Sequence, residues 1–282
     1  MLTRIAPTPS GYLHEGNIYN FMLNWLWARS RGGKVLLRID DMDASRKRPA
    51  YVEDIFSTLE WLGFDWDLGP MGPDNFESAW SQLHRRELYA HSLNYLLDQE
   101  KLFACLCTRK QLTAGKPYPG YCADRSFLMH TPHASWRIHV PGHTLIRFDD
   151  EIKGPTAIEL TACSGSFVVR RSDGEAAYQL SSLIDDRYFG VTHIARGLDL
   201  MESTAMQLYL DQALPEPIFH KTTFRHHELI KNKSGDKLSK SAGTQGVSLQ
   251  QLYSKQQLIN RIAKWMGFEE ITDLHSMIHF FK

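Results

Sequence analysis

The stretch that most constrains this chain is residues 4–16, Arg-Ile-Ala-Pro-Thr-Pro-Ser-Gly-Tyr-Leu-His-Glu-Gly. Pro7 and Pro9 deny a helix or an interior strand between them, Gly11 and Gly16 permit tight backbone geometry, and a helix can begin near Gly16. The order must therefore be strand, open turn, helix N-terminus. Such a terminus presents unpaired backbone N–H groups and the positive end of the helix dipole, which suits a phosphate, and His14 stands where it can donate to one. A plain connection between two elements is the other reading of the same residues.

From there Ile18, Phe21, Met22, Trp25 and Leu26 recur at i, i+3, i+4, i+7 and i+8, one face of a helix that Gly32 and Gly33 stop. Residues 34–39 read as a short buried strand, so the chain opens with a strand, helix, strand crossover whose strands are parallel. Asp40 and Asp41 then fall at the strand's carboxyl end, where open α/β sheets bind ligands, or they make a solvated acidic turn. Val52, Ile55, Phe56, Leu59 and Leu62 predict a second helix closed by Gly63. Residues 64–73 read as a loop, and residues 81–100 as a third helix with Tyr89, Leu93, Leu96 and Leu97 inside.

The pattern then changes. Cys105, Cys107, Tyr118 and Cys122 are spaced as C-x-C, ten intervening residues, and Tyr-x-x-x-Cys. Three thiolates with one further ligand close the four-coordinate shell of a structural zinc; free buried thiols fit the same spacing. Short β-like runs follow from Trp136 to Arg170, and Arg170 and Arg171 are either a solvated strand end or an RNA phosphate contact. The α/β pattern resumes with a helix from Tyr178 and a strand over residues 191–195 that ends at Arg196. Residues 231–241, Lys-Asn-Lys-Ser-Gly-Asp-Lys-Leu-Ser-Lys-Ser, suit the wrapping of a polyphosphate, although a plain surface loop has the same composition. Residues 249–266 read as helical.

Composition bounds the partners. A chain of 282 residues supports one large or two small domains, and no apolar run nears the roughly 20 residues of a membrane span. With no signal pattern at its N-terminus, the chain is expected to be cytoplasmic and without a membrane partner. Four cysteines suit a thiolate site in a reducing compartment better than a disulfide framework. The net charge of zero means that a nucleic acid would be held by local basic patches.

Taken together, Gly11-Tyr-Leu-His14-Glu-Gly16-Asn17 and Lys237-Leu-Ser239-Lys240-Ser241 resemble the HIGH and KMSKS signatures of class I aminoacyl-tRNA synthetases. Arg38-Ile-Asp-Asp-Met-Asp, Glu60-Trp-Leu-Gly-Phe-Asp-Trp, Ala177-Tyr-Gln-Leu, Ile184-Asp-Asp and Ile194-Ala-Arg-Gly-Leu-Asp look like the glutamyl and glutaminyl branch. The resemblance spans residues 4 to about 268 and weakens in the β-rich part. It implies an α/β fold, a Rossmann-like catalytic domain with a zinc-containing insertion and a short helical C-terminal segment. Residues 1–85 and 176–230 would be the halves of the catalytic domain, residues 86–175 the acceptor-type insertion, and residues 231–282 the signature loop and C-terminal segment.

The resemblance also implies chemistry: glutamate is activated by ATP with Mg²⁺, and the adenylate is passed to an RNA hydroxyl. His14, Lys237 and Lys240 would be catalytic, with Pro7, Gly11, Gly16, Asn17 and Ser239 joining them around ATP. Arg4, Thr8, Asp40, Tyr178, Ser182 and Arg196 would bind glutamate, and Cys105, Cys107, Tyr118 and Cys122 one structural Zn²⁺. Only 41 residues follow Ser241, too few for an anticodon-binding domain. That shortness, with the zinc pattern, is similar to the members that esterify glutamate onto queuosine in the anticodon loop of tRNA(Asp); a monomer is the default expectation. Departures from the pattern are Asp40 where most bacterial relatives carry Glu, Ser166 where many carry Asp, Asn17 for a second His, and Glu15 for an apolar residue beside the nucleotide phosphates. An inward-pointing Glu15 would weaken ATP binding. They leave open a glutamate or glutamine adenylating paralogue with another RNA or small-molecule acceptor, and an inert RNA-binding paralogue.

Overall fold

The computed structural model describes residues 1–112, 116–125, 127–230, 246–269, 271, 273–279 and 281. In chain order its main elements are β1 (Leu2–Ile5), α1 (Glu15–Arg29), β2 (Lys34–Leu37), α2 (Pro49–Leu62), α3 (Arg86–Asp98), β3 (Leu102–Cys105), β4 (Ser135–Ile138), β5 (Leu145–Asp150), β6 (Gly154–Glu159), β7 (Val168–Arg170), α4 (Tyr178–Tyr188), β8 (His193–Gly197), α5 (Met201–Gln212), β9 (Thr223–His227) and α6 (Lys255–Trp265). They form two compact units, Met1–Gln82 with Val191–Leu198 and His227–Lys282, and Leu83–Gly190 with Asp199–His226.

In the first unit β1 and β2 are parallel, in register from Leu2↔Lys34 to Ile5↔Leu37. The chains stay side by side beyond the ladder: Arg38 N–H donates to Ile5 O at 2.9 Å and Asp40 N–H to Pro7 O at 2.8 Å. Proline lacks a donor but keeps its carbonyl, so Pro7 ends the strand while still fixing where Asp40 begins. The predicted face of α1 is buried, with Ile18, Met22, Trp25 and Leu26 fully inside. Helix α2 starts with proline at its first position and ends on Gly63 at φ +89°, the left-handed cap that glycine adopts without steric cost. The single helix expected over residues 249–266 is instead a turn, Leu249–Leu252, and a separate helix α6. Ser254 Oγ accepts from the Gln257 amide while Gln257 Oε1 accepts from the Ser254 amide at 2.8 Å, a capping box that starts a new helix there. Leu258, Ile259, Ile262 and Ala263 of α6 join the core made by α1 and α2.

In the second unit β3, β4 and β7 form an antiparallel sheet in that order, β5 and β6 a hairpin, and β5 also pairs in parallel with β9 at Asp150↔Phe224. The β-like runs expected after Trp136 are thus strands. Helix α3 begins at Arg86, after a tighter 3₁₀ turn over Gln82–Arg85. Asp185 of α4 is fully buried and takes both Arg85 guanidinium nitrogens, at 2.8 and 2.9 Å, and the Tyr89 hydroxyl at 2.7 Å. Burial, then the neighbouring Asp185 charge, pushes the Tyr89 phenol far above its ordinary range. Removing one partner of such a buried pair costs about 3–5 kcal/mol, so this cluster locks α3 to α4.

Candidate active site and metal centre

The turn after β1 is held from below. Leu13 N–H donates to Asp54 Oδ2 of α2 at 2.9 Å, and His14, in extended conformation at φ −126°, caps α1. Asn17 Oδ1 accepts from the His14 amide at 3.1 Å, which leaves the amide NH₂ of Asn17 as a donor. Pro7 is buried, whereas Gly11, His14, Gly16 and Asn17 are part-exposed around the open end of the helix. Glu15 does not point into that end. Its carboxylate, in a residue only 7% exposed, accepts from Arg261 Nε at 2.8 Å and from the Tyr253 hydroxyl.

Arg4 sits on β1 and Arg196 on β8, both buried, and the chain entering β8 lies against β1, with Thr192 N–H donating to Leu2 O at 2.9 Å. Thr8 is exposed just beyond. Asp40, nearly buried, is gripped by Arg38 through Nε at 2.7 Å and Nη2 at 3.1 Å. Asp41 is used in the scaffold, accepting from Ser81 Oγ at 2.6 Å, Gln82 N–H at 2.8 Å and Lys47 Nζ at 3.1 Å. Tyr178 and Ser182 belong to the second unit, one turn apart on α4, Tyr178 at its first position and Ser182 buried. Lys237, Ser239 and Lys240 lie outside the described residues.

Sequence reasoning passed over the residues that hold these groups. Asn24, fully buried in α1, donates through Nδ2 to Ala195 O at 3.0 Å and accepts through Oδ1 from Thr3 Oγ1 at 2.7 Å and Ala195 N–H at 3.2 Å. It ties β1 to the residue before Arg196. Asn20 reaches His227 Nε2 at 2.9 Å, and because His227 Nδ1 donates to Glu228 O at 3.0 Å, the ring is held as the Nδ1–H tautomer. Asn20 and Asn24 fall on the face of α1 opposite its apolar stripe, which a sequence pattern reads as surface.

In the second unit the Sγ atoms of Cys105, Cys107 and Cys122 lie within 4.8 Å of one another; Cys163 is not part of the group. Cys107 and Cys122 are 3.6 Å apart, and Tyr118 Oη is 3.5 Å from Cys105 Sγ and 4.0 Å from Cys107 Sγ. A tetrahedral zinc with ordinary bond lengths separates its sulfur ligands by about 3.8 Å and sulfur from oxygen by about 3.5 Å, so the donors fit that ion. Burial opposes ionisation of Cys105, but hydrogen bonding with Tyr118, the Cys107 amide and Arg137 outweighs it and brings the thiol down to about 7. Burial and the neighbouring thiols Cys122 and Cys105 push Cys107 up to about 11. The Arg137 guanidinium lies over the Tyr118 ring at 3.9 Å, supported by Ser166 O at 2.8 Å. The two arginines that end the β-rich part are engaged locally, Arg170 over Trp136 and Arg171 with Asp173.

The family model for the catalytic domain of class I tRNA synthetases (E and Q) matches residues 1–119 and 123–274. The chain belongs to this family. Among its relatives, the glutamyl-Q tRNA(Asp) synthetase of Pseudomonas syringae pv. syringae is 41% identical over 242 residues, 84% of this chain and 76% of that protein. That of Symbiobacterium thermophilum is 40% identical over 261 residues, 85% of this chain and 78% of that protein. The crystal structure of the glutamate-tRNA synthetase from Elizabethkingia anophelis superimposes with a TM-score of 0.81 at 23% identity, covering 99% of this chain and 65% of that one. The chain is thus an aminoacyl-tRNA synthetase-like ligase with a class I α/β catalytic fold. Among the described residues no helix is long and apolar enough to cross a membrane.

Proposed function

We propose that this class I tRNA synthetase activates glutamate with ATP and transfers it to queuosine in the anticodon loop of tRNA(Asp). The observation that carries the reading is the first unit's arrangement: two buried guanidiniums, Arg4 on β1 and Arg196 on β8, on strands that both pack against α1, the helix whose N-terminus His14 caps. Two arginines suit a ligand with two carboxylates, and Asp40 suits its ammonium. Thr8 belongs to this amino-acid site by sequence and lies in the same unit; Tyr178 and Ser182 of the second unit are candidates by sequence alone. The nucleotide phosphates meet the backbone amides of the terminus together with His14, Gly16 and Asn17, with Pro7 and Gly11 shaping the turn. Lys237, Ser239 and Lys240, outside the described residues, would supply further donors to the same phosphates.

In the first step a glutamate α-carboxylate oxygen bonds to the α-phosphorus of ATP, and the bond to pyrophosphate breaks with its electron pair leaving on pyrophosphate. His14, Lys237 and Lys240 stabilise the charge that builds on the phosphoryl oxygens and the leaving group. Mg²⁺, when bound, shares that charge on the pyrophosphate side. In the second step a queuosine hydroxyl oxygen bonds to the glutamyl carbonyl carbon, and the bond from that carbon to the phosphate oxygen breaks with its electron pair leaving on AMP. The hydroxyl proton passes to the departing phosphate or to water. Cys105, Cys107, Tyr118 and Cys122 would hold one Zn²⁺, whose chemistry there is structural, fixing the loops of the insertion. The chain acts as a monomer in the cytoplasm.

The test compares glutamate acceptance by tRNA(Asp) with and without queuosine. Labelling only of the queuosine-containing tRNA supports the reading. Equal labelling, or labelling of the 3′ end, overturns the acceptor. A glutamate-adenylating paralogue with another acceptor then becomes the better account.

A further inference from the structure

Glu15 is the departure in the signature stretch that the proposed reaction leaves unused. It is the first residue of α1, so its charge lies within the first turn beside the helix end that a phosphate would use, although its carboxylate turns toward α6. At 7% exposure it has little water to screen it. An apolar side chain at this place needs no partner, but a buried carboxylate does. Two donors from the segment after the signature loop supply one. Arg261 of α6 donates through Nε to Glu15 Oε1 at 2.8 Å, and the Tyr253 hydroxyl donates to the same oxygen. Arg261 is half-exposed and its guanidinium rests on the Trp265 ring, with the centroid at 5.1 Å, which fixes its approach.

We propose that Arg261 and Tyr253 form a charge clamp on Glu15 that keeps the N-terminus of α1 receptive to the phosphates of ATP. Both are positioning residues, acting on the phosphates through Glu15. The proposal rests on the reading that ATP phosphates bind at this terminus, and it explains how the chain carries an acid where the family pattern has an apolar residue. The clamp acts by charge. Arg261 supplies the cation, whereas Tyr253 is neutral and contributes a hydrogen bond, so loss of Arg261 is the larger perturbation. It leaves a poorly hydrated carboxylate close to a polyanion, which weakens ATP binding by about tenfold at moderate ionic strength.

The experiment measures ATP and adenosine affinities calorimetrically on the full zinc-loaded chain and its variants. Arg261→Met should raise the ATP dissociation constant about tenfold and leave adenosine unchanged, because adenosine carries no phosphate. Arg261→Lys, which keeps the charge, should stay within about threefold of the parent. Adding Glu15→Gln to Arg261→Met should restore ATP affinity, since the offending charge is gone. A merely structural role predicts a loss for both ligands and no restoration. The proposal is overturned by unchanged ATP affinity in Arg261→Met, by an equal loss for adenosine, or by failure of the double variant to recover. Absence of ATP binding by the folded parent overturns the clamp and the nucleotide site together. ATP binding without glutamate-dependent pyrophosphate exchange defeats the adenylation reading alone and leaves the clamp standing.

Discussion

Asn24→Leu replaces a fully buried amide in α1 with a side chain of similar volume, so the change is in hydrogen bonding and not in packing. In the native chain Asn24 serves the Thr3 hydroxyl and both backbone groups of Ala195. The variant orphans the Thr3 O–H and the Ala195 N–H, while Ala195 O keeps a longer bond from Asn20 Nδ2 at 3.3 Å. Each buried polar group left without a partner costs about 1–3 kcal/mol, and the added apolar burial recovers about 1 kcal/mol, so the net loss is about 3 kcal/mol. Because Ala195 precedes Arg196, the variant should also raise KM for glutamate. Urea unfolding measures the stability loss, and the Thr3→Val, Asn24→Leu double-mutant cycle isolates the pair, with an expected coupling of about 1 kcal/mol. A loss below about 1 kcal/mol, or zero coupling, would refute the view that Asn24 ties β1 to the residue before Arg196.

Three further outcomes are expected. Metal determination on the purified chain should give about one zinc per chain, and Cys122→Ser should lose it along with the fold of the insertion; zinc retained by that variant would exclude the ligand set. Asp150, buried in β5, resists the upward push of burial because His226 and the Lys153 and Ile152 amides hold its carboxyl below the ordinary 3.8. Its folded value being depressed, its stabilisation is present above about pH 4 and lost as pH falls through the folded value, so Asp150→Asn should flatten the acid limb of the stability profile. An acid limb unchanged in that variant would count against the assignment. Gly69 has φ +126°, and a Cβ there would sit 2.4 Å from Leu37 O, so Gly69→Ala should cost at least about 2 kcal/mol by thermal unfolding. Wild-type stability would show the loop to be loosely held.

The fold was legible wherever apolar residues alone face the core. The i, i+3, i+4 face of α1, the Gly63 cap of α2 and the short strand of β2 all follow from composition and period. Helix α5 and strand β9 were missed for one physical reason. The buried face of α5 carries Ser203, Thr204, Gln207 and Asp211, and β9 carries buried His226 and His227. Thr204 Oγ1 meets His226 Nε2 at 2.9 Å and His226 Nδ1 meets Asp150 Oδ2 at 2.7 Å, so these polar residues are inside because they satisfy one another. A one-letter pattern shows them as surface. The same holds at the site: the cysteine spacing and the residues from Arg4 to Asn17 can be read in sequence, whereas Asn24, Asp54, Arg38 and Arg261 act across 41 residues or more, or through a neighbour, and leave no local signal. The capping box at Ser254 shows the reverse case, where a local rule explains a break that hydrophobic period alone runs through.

The most direct test of the account is ATP–pyrophosphate exchange without tRNA, run with glutamate, glutamine and aspartate on zinc-loaded protein. The account predicts exchange with glutamate alone, abolished by Lys240→Ala without loss of fold. Exchange with glutamine or aspartate in its place, or full exchange in Lys240→Ala, would contradict it.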